Sequence, residues 1–227
     1  MTTSYNCATE AERSDGLAHA QRAISNQQCV VLPTDTVYGI AADAFSAQAV
    51  ATLLAAKGRG RNMPPPVLIP RMGTMDGLAI NVPAAARRLA EAFWPGALTL
   101  IFHAQPSLSW DLGETKGTVA LRMPDDPLAI DLLTLTGPLA VSSANRTGQS
   151  AAGTAEEAAA QLAESVEVYL DDGPRPAKEG PAGLPSTIVD ATGEVLTVVR
   201  SGALSIDELR SVVPEVQAPD DPAVAEG

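Results

Sequence analysis

Short β-rich runs alternate with alanine-rich helical stretches along most of this chain, and that alternation limits the fold more than any other feature of the sequence. Residues 29–32, 67–69, 98–102, 119–122, 139–141, 166–170, 187–189 and 196–199 read as strands. Residues 10–26, 47–57, 84–93, 128–135, 155–163 and 206–212 read as helices. The pattern predicts an α/β domain. Two helices open on a cap, since Thr154 with Glu157 and Ser205 with Glu208 each fit Ser/Thr-x-x-Glu. The chain has 39 alanines against eight aromatic residues, so its helices are expected to lie close on the sheet through many small contacts. No period of about 20 to 50 residues repeats, which argues against a solenoid or propeller.

The 227 residues and 45% apolar content suffice for one sizeable core without a disulfide or metal staple. We expect a body over residues 16–213, a mobile N-terminal extension over 1–15 without apolar periodicity, and a mobile acidic, Pro-containing tail over 214–227. Residues 171–185 hold four prolines and three glycines and form the longest irregular stretch in the body, a candidate lid. A net charge of −12 without a basic block opposes general nucleic-acid binding. The start is polar and acidic, and no run of about 18 apolar residues occurs, so the expected compartment is the cytoplasm. Cys7, Cys29, His19 and His103 are too few and too scattered for a zinc cluster, so any metal must arrive with a substrate. His19 and His103 fall in no motif and read as surface or packed residues.

Three clusters carry the candidate chemistry. Lys57-Gly58-Arg59-Gly60-Arg61 follows a predicted helix and places three of the fifteen bases within five residues. These cations either complement the helix C-terminus or bind a polyphosphate while the glycines let the backbone approach it. Neither a P-loop nor a Gly-x-Gly-x-x-Gly loop is present. Pro33-Thr34-Asp35-Thr36-Val37-Tyr38-Gly39 follows an apolar strand and reads either as a strand exit and turn or as a polar site at a strand's carboxyl end. Ser142-Ser143-Ala144-Asn145 follows another, and its Ser143 and Asn145 either cap the next segment or supply neutral donors to phosphate or carboxylate oxygens. Without a Gly-x-Ser-x-Gly elbow or a nearby His base, serine nucleophilic catalysis is disfavoured. Asp35 and Asp190 read as candidates for orienting Lys or Arg.

These clusters, in this order, resemble the YrdC-like family of threonylcarbamoyl-AMP synthases. The resemblance rests on residues 33–40, Lys57-Gly58-Arg59, Trp94-Pro95-Gly96-Ala97-Leu98-Thr99, Val119-Ala120-Leu121-Arg122, Ser143-Ala144-Asn145 and Ser186-Thr187-Ile188-Val189-Asp190, and covers roughly residues 18–203. It implies a single-domain, twisted, largely open sheet with a broad concave face. It also implies a reaction in which L-threonine, bicarbonate and ATP give threonylcarbamoyl-AMP and pyrophosphate. A tRNA threonylcarbamoyl transferase complex then uses the product to modify an adenosine beside the anticodon. By the same resemblance Thr34, Arg122 and Ser186 would hold threonine, and Lys57, Arg59, Thr118, Ser143, Asn145 and Arg200 would hold ATP, with magnesium carried on its phosphates. Lys57 and Arg59 would stabilise charge developing on the phosphoryl oxygens.

The chain departs from the family pattern at several places. Met63-Pro64-Pro65-Pro66-Val67-Leu68 stands where many relatives have Asn-Pro-Leu-x-Val-His, so Leu68 replaces a histidine. Ser142 stands where Pro is frequent, Pro185 where Glu often occurs, and Arg61 is an additional base. The chain resembles the short form, without an extra C-terminal domain. Two rival readings are an RNA-binding module and a carbamoyl-adenylate-forming domain of the hydrogenase-maturation type, which net charge and the two cysteines oppose respectively.

Overall fold

Continuous apolar runs, whose successive side chains point to opposite sides, give the central strands two buried faces, and the molecule is arranged around that fact. A computed structural model describes residues 2–176 and 184–219. In chain order the first half runs β1 (Thr3–Asn6), α1 (Glu10–Ser25), β2 (Val30–Leu32), β3 (Gly39–Asp43), α2 (Ala47–Lys57), β4 (Val67–Leu68), α3 (Met75–Leu78), β5 (Ala79–Ile80) and α4 (Ala84–Phe93). The second half runs β6 (Leu98–Ala104), β7 (Thr118–Arg122), α5 (Pro127–Thr136), β8 (Leu139–Ser143), α6 (Ala155–Leu162), β9 (Val168–Asp171), β10 (Thr187–Asp190), β11 (Thr197–Arg200) and α7 (Ile206–Val212).

All these strands join one mixed sheet in the order β1-β9-β2-β3-β8-β4-β7-β6-β10-β11, with β5 paired to β6 off that path. The pairs β1/β9, β2/β9, β4/β7 and β6/β10 are parallel, and the others are antiparallel. The expected open, twisted α/β architecture is what the chain adopts.

Side chains alternate between the two faces. Val31, Ile40, Val67, Leu100, Phe102 and Leu121 belong to the larger core, with Leu53 of α2, Leu89 of α4 and Leu209 of α7. Val30, Leu32, Leu68, Leu139 and Val141 face the other way and meet Ala20 and Ile24 of α1 and Leu128 and Leu132 of α5. Each such fully buried leucine, isoleucine or phenylalanine contributes about 1.5–3 kcal/mol. On β6, β7 and β10 that second face carries Thr99, Ile101, Ala120, Arg122 and Ile188 instead, and these line a cavity. Two helices cover half of the face, and the uncovered half supplies the concavity.

Local chemistry sets the helix ends. Ser46 caps α2, and Gly58 ends it in the left-handed conformation, at φ 62°. Asp126 accepts from Leu128 and Ala129 at the start of α5, with Pro127 in its first turn. Ser205 and Glu208 form the reciprocal capping box read in the sequence.

The first fifteen residues carry more structure than their composition announces: Thr3–Asn6 pairs in parallel with β9, and α1 begins at Glu10 on the Thr9 cap. Backbone pairing, which polar residues make as well as apolar ones, ties down this segment. Of the candidate lid, residues 177–183 lie outside the described residues, as do 220–227 of the acidic tail. Among the described residues no helix is long and apolar enough to cross a membrane.

Candidate active site

Pro64, Pro65 and Pro66 have no N–H to donate, so the strand they precede, β4, is only two residues long. Its neighbours run on without it. Val67 lies opposite Leu121 of β7 and Ala140 of β8, so Thr118, Val119 and Ala120 on one side and Val141, Ser142 and Ser143 on the other face each other across an opening. The cavity occupies that opening, with the three prolines at its end and Thr99, Ile101 and Ile188 on its floor.

Three arginines line it and no acidic residue does, among the described residues. Gly58 turns the chain after α2 so that Arg59 Nη1 donates to Ser142 Oγ at 2.9 Å. Arg59 Nε is buried with no hydrogen-bond partner among the described residues. Arg122, at the end of β7, donates from Nε to Gly96 O (3.0 Å), from Nη1 to Thr36 Oγ1 (3.1 Å) and from Nη2 to Asp35 Oδ1 (2.6 Å). Arg200 leaves β11 and donates twice to Ser186 O, at 2.6 and 3.2 Å. Burial holds Arg200 below the usual arginine range, and the charges of Arg122 and Arg59 press in the same direction. Arg59 is lowered by burial alone. Three partly desolvated guanidiniums with one carboxylate between them form a site short of negative charge, which an anionic ligand would supply.

The hydroxyls divide by what they already do. Thr34 Oγ1 donates to Val37 O at 2.6 Å and accepts from the backbone of Thr36 and Val37, so it holds the turn and shapes the wall. Thr118 Oγ1 donates to Thr115 O at 2.8 Å and keeps only acceptor capacity. Ser186 Oγ shares a 2.8 Å bond with Thr99 Oγ1. Ser143 lines the cavity and its hydroxyl has no partner among the described residues.

Seven of the nine candidate residues therefore line one cavity: Thr34, Arg59, Thr118, Arg122, Ser143, Ser186 and Arg200. Lys57 and Asn145 do not. Lys57 is 3% exposed, and its ammonium donates to Ser143 O, to Asn145 O at 2.6 Å and to Asn145 Oδ1 at 3.3 Å. Burial, helped by the Arg59 charge, pushes it down to about 8. Asn145 Nδ2 donates to Arg146 O and Gln149 O, closing the turn that follows β8.

Asp35 orients Arg122, as its type and place suggested, whereas Asp190 accepts from Thr192. Thr36, Thr99 and Ser142 belong to the site without having been singled out for it. The first two stood inside quoted motifs, and Ser142 stood in the third cluster, at a position where Pro is frequent in the family. Leu68, in the histidine's place, is 3% exposed and lines the cavity beside Arg122, its register partner. Arg61 pairs with Asp111 at 2.8 Å, and its carbonyl accepts from Glu114, joining the loop after α2 to the loop between β6 and β7. No group of three or more His, Cys, Asp or Glu among the described residues is placed to hold a metal ion.

The sequence and structure were compared with those of known proteins. The family model described as Telomere recombination (Sua5_yciO_yrdC) matches residues 22–202. A putative threonylcarbamoyl-AMP synthase of Mycobacterium tuberculosis is 51% identical over 213 residues, covering 94% of this chain and 96% of that protein. A threonylcarbamoyl-AMP synthase of Bacillus subtilis is 34% identical over 87% of this chain, which spans 56% of that protein. The crystal structure of P. abyssi Sua5 complexed with L-threonine superposes with a TM-score of 0.87 at 29% identity, over 96% of this chain and 62% of that one.

Proposed function

The chain belongs to the Sua5/YciO/YrdC family, and from that premise we propose that it makes threonylcarbamoyl-AMP, releasing pyrophosphate, from L-threonine, bicarbonate and ATP. The observation that carries the reading is the convergence of Arg59, Arg122 and Arg200 on one cavity lined by no acid among the described residues. The reaction brings a carboxylate, a carbamate and a triphosphate together, and each needs cationic donors.

Arg122 has five N–H donors and spends three on Gly96, Thr36 and Asp35, leaving two for a threonine carboxylate. Ser186 lines the same cavity and is assigned to threonine with it. Arg59, Ser143 and Arg200 are assigned to ATP, and Thr34 and Thr118 form walls. The amine of threonine takes up bicarbonate to give a carbamate and water. A carbamate oxygen then attacks the α-phosphorus, and the bond to pyrophosphate breaks. Negative charge grows on phosphoryl oxygens in that step, and Arg59 Nε, without a partner among the described residues, is the donor assigned to meet it. Magnesium would arrive on the ATP phosphates. No protein group needs to become covalently modified.

The product is destined for a tRNA threonylcarbamoyl transferase complex, which places the enzyme in the cytoplasm. The test is to incubate the protein with ATP, threonine and bicarbonate, to omit each in turn, and to follow the adenylate by mass spectrometry. Product that needs all three supports the reading, and product that forms without threonine overturns it.

A further inference from the structure

Lys57 is a buried cation that does not line the cavity. An ammonium has three N–H donors, and three oxygens surround this one: the carbonyls of Ser143 and Asn145 and the side-chain oxygen of Asn145. The residue's own carbonyl accepts from Thr147 N at 2.9 Å, so Lys57 grips residues 143–147 through backbone and side chain alike. Asn145 passes the restraint on to Arg146 and Gln149. The residue at the near end of this turn is Ser143, whose hydroxyl faces the cavity without a partner among the described residues.

We propose that Lys57 is a positioning residue: its ammonium clamps the turn at 143–145 so that the Ser143 hydroxyl is presented to the nucleotide, and it does not itself hold the triphosphate. This rests on the reading of the Ser143 wall as part of the ATP site. Three features favour it. Lys57 is 3% exposed and absent from the cavity lining, whereas Arg59, two residues on, lines it. Turning the ammonium toward a phosphate would strip the backbone and side-chain oxygens of Asn145 of their donor in a buried place and leave Ser143 O with the Asn145 N–H alone. Satisfying those two oxygens inside the protein would need other donors, and Asn145 has already committed both N–H groups of its amide.

The test is a double-mutant cycle on binding of α,β-methylene ATP with magnesium, measured by calorimetry on the full chain. The variants are Ser143→Ala, Lys57→Met and the pair, with the dissociation constant for threonine measured on each. Ser143→Ala is expected to weaken the nucleotide about tenfold, the scale of a lost hydrogen bond to a charged group. Lys57→Met should weaken it by at least as much, and the double variant no further than Lys57→Met alone. Affinity for threonine should stay within about twofold, which general loosening of the fold would not allow. Should Lys57→Met fail to fold, Asn145→Ala opens the same turn and must show the same non-additivity with Ser143→Ala. Losses that add overturn the positioning role while leaving Ser143 at the nucleotide. A Ser143→Ala variant that binds like wild type overturns the ATP reading of that wall and the proposal with it.

Discussion

Arg122 Nη2 lies 2.6 Å from Asp35 Oδ1, and the two side chains, 87 positions apart in sequence, are 7% and 15% exposed. Asp35 also accepts from the backbone N–H of Asp125 at 3.0 Å, so one carboxylate ties the loop before β3 to the end of β7. The guanidinium is thereby aimed before any ligand arrives, as the carboxylate fork proposed for its remaining donors requires.

That arrangement predicts what a lysine would lose. Arg122→Lys keeps the charge but cannot reach Gly96 O, Thr36 and Asp35 while also forking a carboxylate. Charge-assisted hydrogen bonds contribute about 1.5–3 kcal/mol, so KM for threonine should rise by about one to two orders of magnitude. KM for ATP should move only a few-fold. Asp35→Asn, which keeps an acceptor oxygen, should cost less than Arg122→Lys. Steady-state kinetics with each substrate varied in turn would show it, and equal damage to both KM values would count against the assignment.

Arg59→Ala removes Nε, a buried side-chain nitrogen with no hydrogen-bond partner among the described residues. Pyrophosphate release should fall by about 10²- to 10³-fold, the usual loss on removing a donor to a charge-developing oxygen. Arg59→Lys should recover only part of this, since a point charge replaces a planar fork. Activity within a few-fold of wild type in Arg59→Ala would exclude the role.

Tyr38 links the loop of the site to the chain leaving β9. Its hydroxyl donates toward Gly173 O at 2.7 Å and Asp171 Oδ1 at 3.2 Å, and it accepts from Asp172 N at 3.1 Å. The phenol thus holds one end of the segment that Arg175 also fixes, through Asp126 and Asp172. Tyr38→Phe leaves these groups short of a partner at small change in volume. We expect a loss of about 1–3 kcal/mol in urea unfolding, with the m-value unchanged.

Legibility in the sequence followed the range of the forces involved. Helices Ala47–Lys57, Ala84–Phe93 and Ile206–Val212 were readable to the residue, because periodicity and neighbouring caps such as Ser205 with Glu208 fix them locally. Strand β3 was not, since Gly-Ile-Ala-Ala-Asp has little β-branched character and is strand because β2 and β8 pair with it on both sides. Most of the site was legible as short ordered motifs, each placing one or two side chains on a strand end. What could not be read was which cations reach the cavity. Lys57 and Arg59 are two residues apart, yet a left-handed Gly58 and the turn at 143–145 send one ammonium into carbonyls and one guanidinium into the opening.

The burial of Lys57 has a consequence for pH that can be signed in advance. Its ammonium is held near 8 in the folded chain, by burial first and by the Arg59 charge second, against an ordinary value of 10.5. Below pH 8 both folded and unfolded chains carry the proton, and this group contributes no slope. From there up to 10.5 the unfolded chain keeps a proton that the folded chain has given up, so on this account stability rises with pH across that window. Tyrosines and cysteines of the unfolded chain titrate there too, but they are common to wild type and to Lys57→Met, so the difference between the two proteins isolates the lysine. Urea unfolding at intervals from about pH 7 to 10 should show wild type gaining on Lys57→Met as pH rises. Nucleotide affinity should move the other way, because a neutral amine has two N–H donors for three oxygens and turns a lone pair on one of them. A stability difference that stays flat over the window would mean that the three oxygens hold the proton on Lys57 well above 8, a tighter clamp than burial alone permits.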